Sequence, residues 1–311
     1  MQTPLRRSLP RAVLVALRPK QWIKNLLLFA ALIFSSGWKD SGHIQASILS
    51  FITFCLLSST GYVYNDLGDA EADRKHPSKR FRPIANGDLS PRGAWVTMVL
   101  CMATALGLAW SINIPFLIVA ILYFATTLSY STFFKHYVIL DVMFLASCYI
   151  WRAVAGAVAI AVTTSPWLLV CTAFFALFLG FNKRRGELAL LDGRVPGTRK
   201  ALAHYSPAML QEFQAITTSG TILSYALYTV VGSPKSPWLL LTMPCVLYGI
   251  FRYIYLMDQK GEGSAPDETL LRDRPLFVTC AVYLVVAVLV MWLAPDAHPA
   301  SSGLADNPLL R

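Results

Sequence analysis

The stretch from Tyr64 to Pro83, YNDLGDAEADRKHPSKRFRP, follows about twenty apolar residues, Ile44 to Val63. It brings Asp66, Asp69, Glu71 and Asp73, then Arg74, Lys75, Lys79, Arg80 and Arg82. Asp66, Asp69 and Asp73 stand at i, i+3 and i+7, so a helix presents them on one face. Asp66 and Asp69 are then ~4.5 Å apart along the axis, and Asp73 lies ~6 Å further on. Like charges so spaced repel by ~0.2–0.5 kcal/mol per pair. The end of a helix that leaves the membrane here favours cations, not acids. Helix stability therefore does not explain the cluster, whereas a bound cation does. Mg²⁺ is held by a few carboxylates, keeps some water and binds phosphate oxygens. Glu71 falls off the shared face and reads as surface.

The bases supply the complementary chemistry. Pro77 stops a helix, so Lys79, Arg80 and Arg82 lie on a loop able to fold back over the carboxylates. Arginine forks suit phosphate bidentately, and lysine acts as a point charge. Lys75 fits phosphate contact and simple charge bias equally. The stretch thus reads as carboxylates holding Mg²⁺, Mg²⁺ holding a diphosphate, and bases holding the remaining anionic charge.

The elements that must position these groups are membrane helices. Of 311 residues, 55% are hydrophobic and 14% charged, with a mean hydropathy of +0.51; an average soluble domain carries about 25% charge. Apolar runs fall at Trp22–Gly37, Ile44–Tyr64, Ala94–Trp110, Ile112–Tyr130, Val138–Ala161, Trp167–Phe181, Ile216–Val231, Trp238–Met257 and Leu276–Leu293. Most approach the roughly 17–25 residues a bilayer requires. If the gaps alternate between two sides, the N-terminal side holds 22 of the 27 Lys and Arg residues. Lys39, Lys235 and Arg311 fall on the other side, and Arg152 and Arg252 lie within runs. Cytoplasmic loops carry the excess of Lys and Arg, so the N-terminus is expected in the cytoplasm and the C-terminus outside. The net charge of +10 is mostly topology, and no aromatic-basic pattern for nucleic acid accompanies it. Ala12–Leu17 is too short for a secretory signal and reads as an interfacial helix. The six cysteines sit in apolar runs without CxxC spacing and read as small buried residues.

Two long loops, 66–93 and 182–215, dominate the N-terminal side. Function concentrates where loops are long and chemically varied. The second opens GFNKRRGELALLDG and offers Asn182, Lys183, Arg184, Arg185, Glu187 and Asp192.

The pattern N-D-x-x-D-x-x-x-D at Asn65, Asp66, Asp69 and Asp73, after the second of nine helices, resembles the UbiA superfamily of intramembrane transferases. The resemblance implies Mg²⁺-assisted loss of diphosphate from a donor inside a helical cavity. Most members move a prenyl group and carry D-x-x-x-D after helix 6; here three bases open that loop, so the site should hold more anionic charge. RPKQWIKN (Arg18–Asn25), the stretch Asn65–Gly87, RAVAG (Arg152–Gly156), NKRRGEL (Asn182–Leu188) and LRDR (Leu271–Arg274) resemble the decaprenyl-phosphate phosphoribosyltransferase branch. Arg185-Gly186 replaces the aromatic-small pair expected there. The resemblance implies that a lipid phosphate attacks C1 of phosphoribosyl diphosphate, toward arabinofuranose donors for cell-wall arabinan.

Other polar residues lie at membrane depth. Arg152 sits about eleven residues past Asp141, a rise of ~16 Å that argues against their pairing. An intramembrane charge marks a site, or else an interhelix hydrogen bond. Lys24 and Asn25 enter helix 1; Lys24 can meet the lipid phosphate or snorkel. Arg252 can also snorkel. Tyr64 and Tyr130 stand at span ends, where anchoring is common. Arg272 and Arg274 can close over the mouth.

The sequence therefore reads as an all-α polytopic membrane protein, one domain over 1–311 with nine transmembrane helices around a central cavity. The expected metal and catalytic residues are Asp66, Asp69 and Asp73. The expected substrate-binding residues are Lys24, Asn25, Tyr64, Asn65, Lys79, Arg80, Arg82, Tyr130, Lys135, Arg152, Lys183, Arg184, Glu187, Arg272 and Arg274. The expected partners are Mg²⁺, phosphoribosyl diphosphate, a polyprenyl phosphate and the bilayer of the cell (inner) membrane, with the site open to the cytoplasm and no nucleic acid. A homo-oligomer is compatible with this. The alternatives are prenyl transfer to an aromatic acceptor and a transporter, although transporter sites lie near the midplane.

Overall fold

The computed structural model describes residues 7–75, 79–189, 200–233, 235, 237–260 and 266–295, without the side chains of 200, 260 and 266–268. Pro77, Asp192 with most of the 190–215 stretch's start, and the C-terminal tail lie outside the described residues. Every regular element among the described residues is helical. The α-helices are α1 (Leu9–Leu17), α2 (Phe29–Phe34), α3 (Ser41–Gly68), α4 (Ala70–Lys75), α5 (Pro83–Asn86), α6 (Pro91–Ile112) and α7 (Ile114–Thr132). There follow α8 (Leu140–Ala159), α9 (Pro166–Ala189), α10 (Pro207–Leu227), α11 (Met243–Lys260), α12 (Pro266–Arg272) and α13 (Arg274–Leu293).

One local device starts several helices: a capping side chain followed by proline. Ser90 accepts from Gly93 N–H before Pro91, Asn113 from Phe116 N–H before Pro115, Ser206 from Met209 N–H before Pro207, and Asp273 from Leu276 N–H before Pro275. Each oxygen satisfies an orphan amide, and proline fits a first turn where its missing N–H costs nothing.

The helices bury small residues and expose large ones. α3 turns Ser47, Ser50, Thr53, Ser58, Ser59, Thr60 and Gly61 inward. Trp95, Leu100, Trp110, Leu223 and Trp292 face outward, each more than half exposed. Lipid is as apolar as a leucine side chain, so close approach of small residues, not hydrophobic sorting, holds such helices together. Several of the buried hydroxyls donate to backbone carbonyls a turn earlier, as Ser50 does to Ala46 and Thr53 to Leu49, while Ser59 donates across to Leu17. α3 packs on α6, α7 on α8, α8 on α9, and α9 on α10. Phe54, Leu57, Phe116 and Tyr123 fill one core; Phe178, Tyr253, Leu256 and Leu276 fill another, where α9, α11 and α13 meet.

Seven helices among the described residues are long and apolar enough to cross a membrane: α3, α6, α7, α8, α9, Trp238–Gln259 and α13. The chain is a multi-pass membrane protein. Two of the nine expected spans take other forms. The Trp22–Gly37 run is split into a 3-10 helix, Pro19–Leu28, and the short α2. The Ile216–Val231 run lies in α10 and a π-helical turn, Tyr228–Gly232; the inward face of α10 carries Gln214, Thr217, Thr221 and Ser224, which lowers its apolarity. The second long loop also begins later than expected. α9 continues through Asn182–Ala189, since Lys, Arg, Glu, Leu and Ala are good helix formers once the apolar run has ended.

Candidate functional site

Asp66 lies in the last turn of α3 and Asp73 within α4, both buried at 2% and 4% exposure. The backbone bridges the two helices in helical fashion, Asp69 N–H donating to Asn65 and Asp73 N–H to Asp69. Arg82, from the loop before α5, folds back over them. Its Nη1 donates to Asp66 Oδ1 at 3.0 Å and to Asp73 Oδ2 at 2.6 Å. Arg18 adds a second cation, Nη2 lying 2.5 Å from Asp66 Oδ1. Arg18 adopts φ 52° between α1 and the 3-10 helix, a conformation rare for residues other than glycine. Its guanidinium stacks 4.9 Å over the Tyr62 ring.

The three-carboxylate face expected from the spacing divides into two parts. Asp66 and Asp73 converge on one nitrogen. Asp69, 47% exposed, turns toward Lys135 at 3.7 Å. Among the described residues no three His, Cys, Asp or Glu side chains gather as a metal site. Two hard anionic oxygens meeting at one cationic centre nonetheless fit Mg²⁺, which commonly takes one or two carboxylates and fills its remaining positions with phosphate and water oxygens. Around this pair, Arg80 is exposed and lies 4.8 Å over the Phe81 ring. Lys79, Tyr64 and Asn65 are half-buried beside it.

A second polar cluster joins the start of α8 to the end of α9. Arg184, 1% exposed, donates from Nε to Asp141 Oδ2 at 2.6 Å, from Nη1 to Glu187 Oε2 at 2.7 Å and from Nη2 to the Tyr130 hydroxyl at 3.4 Å. Tyr205 donates to Asp141 Oδ1 at 2.7 Å and accepts from Ile139 N–H. Burial, and then the bond to Asp141, push the Tyr205 hydroxyl above its usual pKa, so it stays a donor. Ile139 has φ 69°, a strained value for a β-branched residue, held by this bond at the entrance to α8. Arg185 ties α9 to Gln214 and to Asp258, at 2.6 and 2.7 Å. Lys183 is half-buried on the same turn.

Arg152 sits deeper, with neutral partners throughout. It donates to Asn25 Oδ1 at 2.7 Å, to the Cys148 carbonyl and to the Tyr123 hydroxyl, and it lies over the Tyr123 and Tyr149 rings. Asn25 is wholly buried and donates onward to Cys55 Sγ and Ser58 Oγ. Lys24 points from the same 3-10 helix into a groove and donates to Gln21 Oε1. Arg272 ends α12 and Arg274 opens α13, both exposed. Between them buried Asp273 takes Arg252 bidentately, Nε at 3.1 and Nη2 at 2.8 Å, so Arg252 pairs instead of snorkelling.

Two cavities lie along the bundle. A groove of about 530 Å³ runs between the first segment and α9, α11 and α13, with Lys24 its one charged lining residue among those described. A chamber of about 960 Å³ lies at the opposite end of the bundle from Asp66, where α8 gives way to α9. The larger cavity is thus remote from the carboxylates, and charge, not volume, locates the chemistry.

The UbiA prenyltransferase family model matches residues 26–280. The chain belongs to that family. Among UbiA relatives, the decaprenyl-phosphate phosphoribosyltransferase of Corynebacterium glutamicum is 34% identical over 299 residues, covering 93% of this chain and 89% of the relative. The enzyme of the same name from Mycobacterium tuberculosis is 33% identical over 274 residues, covering 86% and 90%. A UbiA homolog from Archaeoglobus fulgidus, solved with GPP and Mg²⁺, superposes with a TM-score of 0.70 at 19% identity, over 91% of this chain and all of that one. This UbiA chain is accordingly a member of a transferase family with the all-helical fold expected of it.

Sequence reasoning missed Arg18 as a site residue. No local signal marks it: the Arg-Pro step favours an extended residue, whereas Arg18 takes φ 52°. It also missed Asp141 and Tyr205. The antiparallel α8–α9 hairpin sets the start of one helix beside the end of the other, which a buried acid at 141 and a buried base at 184 already suggest.

Proposed function

We propose that the protein transfers 5-phosphoribose from phosphoribosyl diphosphate to a polyprenyl phosphate, releasing diphosphate, at a site open to the cytoplasm of the cell membrane. The observation that carries this reading is the excess of cations around Asp66 and Asp73. Arg18 and Arg82 already match the two buried carboxylates, Lys79 and Arg80 precede Arg82 on the same loop, and Lys135 stands 3.7 Å from Asp69. A donor with a 5-phosphate as well as a diphosphate uses that excess; a prenyl diphosphate needs less of it. Identity of 33–34% over most of the chain to decaprenyl-phosphate phosphoribosyltransferases supports the same choice.

In the reaction an oxygen of the lipid phosphate forms a bond to C1 of the ribose, and the bond from C1 to the diphosphate breaks. The nucleophile is already an anion, so no strong general base is required. Asp66 and Asp73 would hold Mg²⁺, with Asp69 joining from the solvent side, and the ion would supply charge neutralisation at the leaving diphosphate. Arg82 and Arg18 orient those carboxylates. Arg82, Arg80 and Lys79 take the donor's remaining phosphate charge, and Lys135 and Lys183 extend the basic rim. Tyr64, Asn65, Tyr130 and Glu187 frame the pocket. Arg272 and Arg274 lie at the exposed end of α12–α13. The lipid's phosphate meets Lys24 and its tail enters the apolar groove. Arg184, Arg152 and Asn25 act from within the walls. Catalysis rests on charge stabilisation and positioning. The product suits synthesis of arabinofuranose donors.

The test is purified protein with radiolabelled phosphoribosyl diphosphate, polyprenyl phosphate and Mg²⁺. Lipid-soluble label is expected. Consumption of geranyl or farnesyl diphosphate with an aromatic acceptor, and no labelled lipid, would replace this reading with ordinary prenyl transfer.

A further inference from the structure

The chamber at the far end of the bundle holds no charged lining residue among those described. It shares four lining residues, Ala30, Phe34, Leu168 and Thr172, with the groove that starts at Lys24. The two cavities therefore adjoin along the first segment. From Lys24 the wall rises through the 3-10 helix and α2 to Ser35, a height of ~20 Å at the rises of those helices. An isoprene unit adds four chain bonds of ~1.5 Å, so roughly three extended units reach from Lys24 to Phe34, where groove and chamber adjoin.

The chamber is built wide. Ala153 and Ala157 line it one helical turn apart on α8, and Ala31 faces it from α2. The connection into α9 bends through Ala161 at φ 54°. α10 ends in the π turn Tyr228–Gly232, a wider winding that often marks functional positions. A Cβ at Gly232 would stand 2.7 Å from Ser165 Oγ and 3.0 Å from the Tyr228 ring, so glycine lets the wall pack closely here. Phe34 and Tyr228 meet edge to face at 5.7 Å and form a collar where groove and chamber join. A volume of about 960 Å³ is at the upper end of ligand sites, ~300–1,000 Å³.

We propose that this chamber receives the distal isoprene units of the acceptor lipid, past the collar, while its phosphate lies at Lys24. The inference rests on the polyprenyl phosphate reading above. A phosphate or other ion does not suit walls without charge, since burying an unpaired charge is costly. A long hydrocarbon tail suits an uncharged chamber that adjoins a groove charged only at its other end. The chamber then makes acceptor binding depend on chain length: an acceptor of up to about three units fills the groove alone, and longer ones gain the chamber.

The experiment uses photoaffinity labelling of the full-length protein in detergent. One probe is decaprenyl phosphate with a diazirine at the end remote from the phosphate; the other is farnesyl phosphate labelled at the same end. The decaprenyl probe is expected to label the 157–168 peptide, and the farnesyl probe the groove around Phe175–Leu179 and Tyr253. In Ala31→Trp, which fills the chamber from the half-buried face of α2, the decaprenyl label moves out of 157–168. Decaprenyl label confined to the lower groove in the unaltered protein would overturn the chamber assignment and leave the acceptor reading standing. Labelling that unlabelled polyprenyl phosphate fails to displace would overturn the acceptor reading itself. Label in 157–168 from both probes would show the chamber to be indifferent to chain length and would also overturn the proposal.

Discussion

Arg82 closes on Asp73 across nine residues of chain, Nη1 to Oδ2 at 2.6 Å. The same nitrogen takes Asp66, so one side of the fork holds both carboxylates while the rest, on a side chain 27% exposed, faces the proposed donor. Arg82→Ala should lose a charge-assisted contact of about 1.5–3 kcal/mol, roughly ten- to a hundredfold in the donor's KM. Arg82→Lys should lose much of the same, because a point charge cannot hold two carboxylates and grip a phosphate in fixed directions. A wild-type donor KM in Arg82→Lys would reduce this loop to a topology signal.

The carboxylates should separate stability from activity. The spacing alone suggests that changing any of them to Asn relieves repulsion. The structure alters that expectation, since Arg18 and Arg82 already neutralise Asp66, and Arg82 neutralises Asp73. Asp66→Asn and Asp73→Asn should therefore lower the thermal midpoint as well as activity. Asp69→Asn should leave the midpoint close to wild type, because its pair with Lys135 is largely solvated and contributes under ~1 kcal/mol. Turnover should still collapse in all three, and double changes should not multiply the losses, as for residues acting as one unit. Thermal melts beside turnover in the same detergent decide this, and full activity in Asp73→Asn would remove it from the metal site.

Removing divalent metal should abolish turnover and also the donor's protection against unfolding. Phosphoribosyl diphosphate should raise the melting midpoint with Mg²⁺ present and not in excess chelator. Equal protection in both conditions would mean that the bases alone bind the donor.

Much of this was legible before any coordinates. All nine apolar runs became helical, because lipid permits little else. Asp66, Arg82 and their fold-back followed from residue type and two prolines. What stayed hidden was whatever depends on distant packing. The first run winds as a 3-10 helix where Asn25 meets Arg152, 127 residues away. No local periodicity encodes that contact. Asp141 and Arg184 are 43 residues apart and pair only because α8 and α9 align antiparallel. The end of α9 was placed too early because apolarity marks the bilayer, not the helix. Arg252 found Asp273 for the same reason of long-range alignment.

Asp141 and Arg184 form a pair with both side chains about 1% exposed. Removing one partner of a buried pair commonly costs ~3–5 kcal/mol. Asp141→Ala should therefore lower the melting midpoint strongly. Glu187→Gln should do far less, since Glu187 is partly exposed and Arg184 keeps Asp141. Replacing the pair together, Asp141→Leu with Arg184→Met, should recover stability, because well-packed apolar groups often match a buried ion pair. Activity measured in that double variant then separates wall from site. Restored turnover would assign Arg184 to positioning alone, and a stable but inactive protein would assign it to the substrate.

Arg152 and Gly156 grip the first segment from one face of α8. Arg152 Nε holds Asn25 at 2.7 Å, and a Cβ on Gly156 would lie 2.2 Å from the Leu28 carbonyl oxygen. Lys24 and the groove wall ride on that segment. Arg152→Lys keeps the charge, but three donors on one ammonium cannot reach Asn25, the Cys148 carbonyl and Tyr123 in the directions of the guanidinium plane. Asn25 Oδ1 is then buried without its donor, a cost of about 1–3 kcal/mol, and the segment shifts to recover it. The expected result is an acceptor KM raised by roughly fivefold or more, with the donor KM changed far less, because Asp66, Asp73 and Arg82 sit on α3, α4 and the loop before Pro83. Gly156→Ala pushes the same segment from below and should show the same split. If Arg152 touched the donor's phosphates instead, its replacement would raise the donor KM and Gly156→Ala would not. Measuring both constants in both variants distinguishes the two roles, and a wild-type acceptor KM in each would detach the first segment from lipid binding altogether.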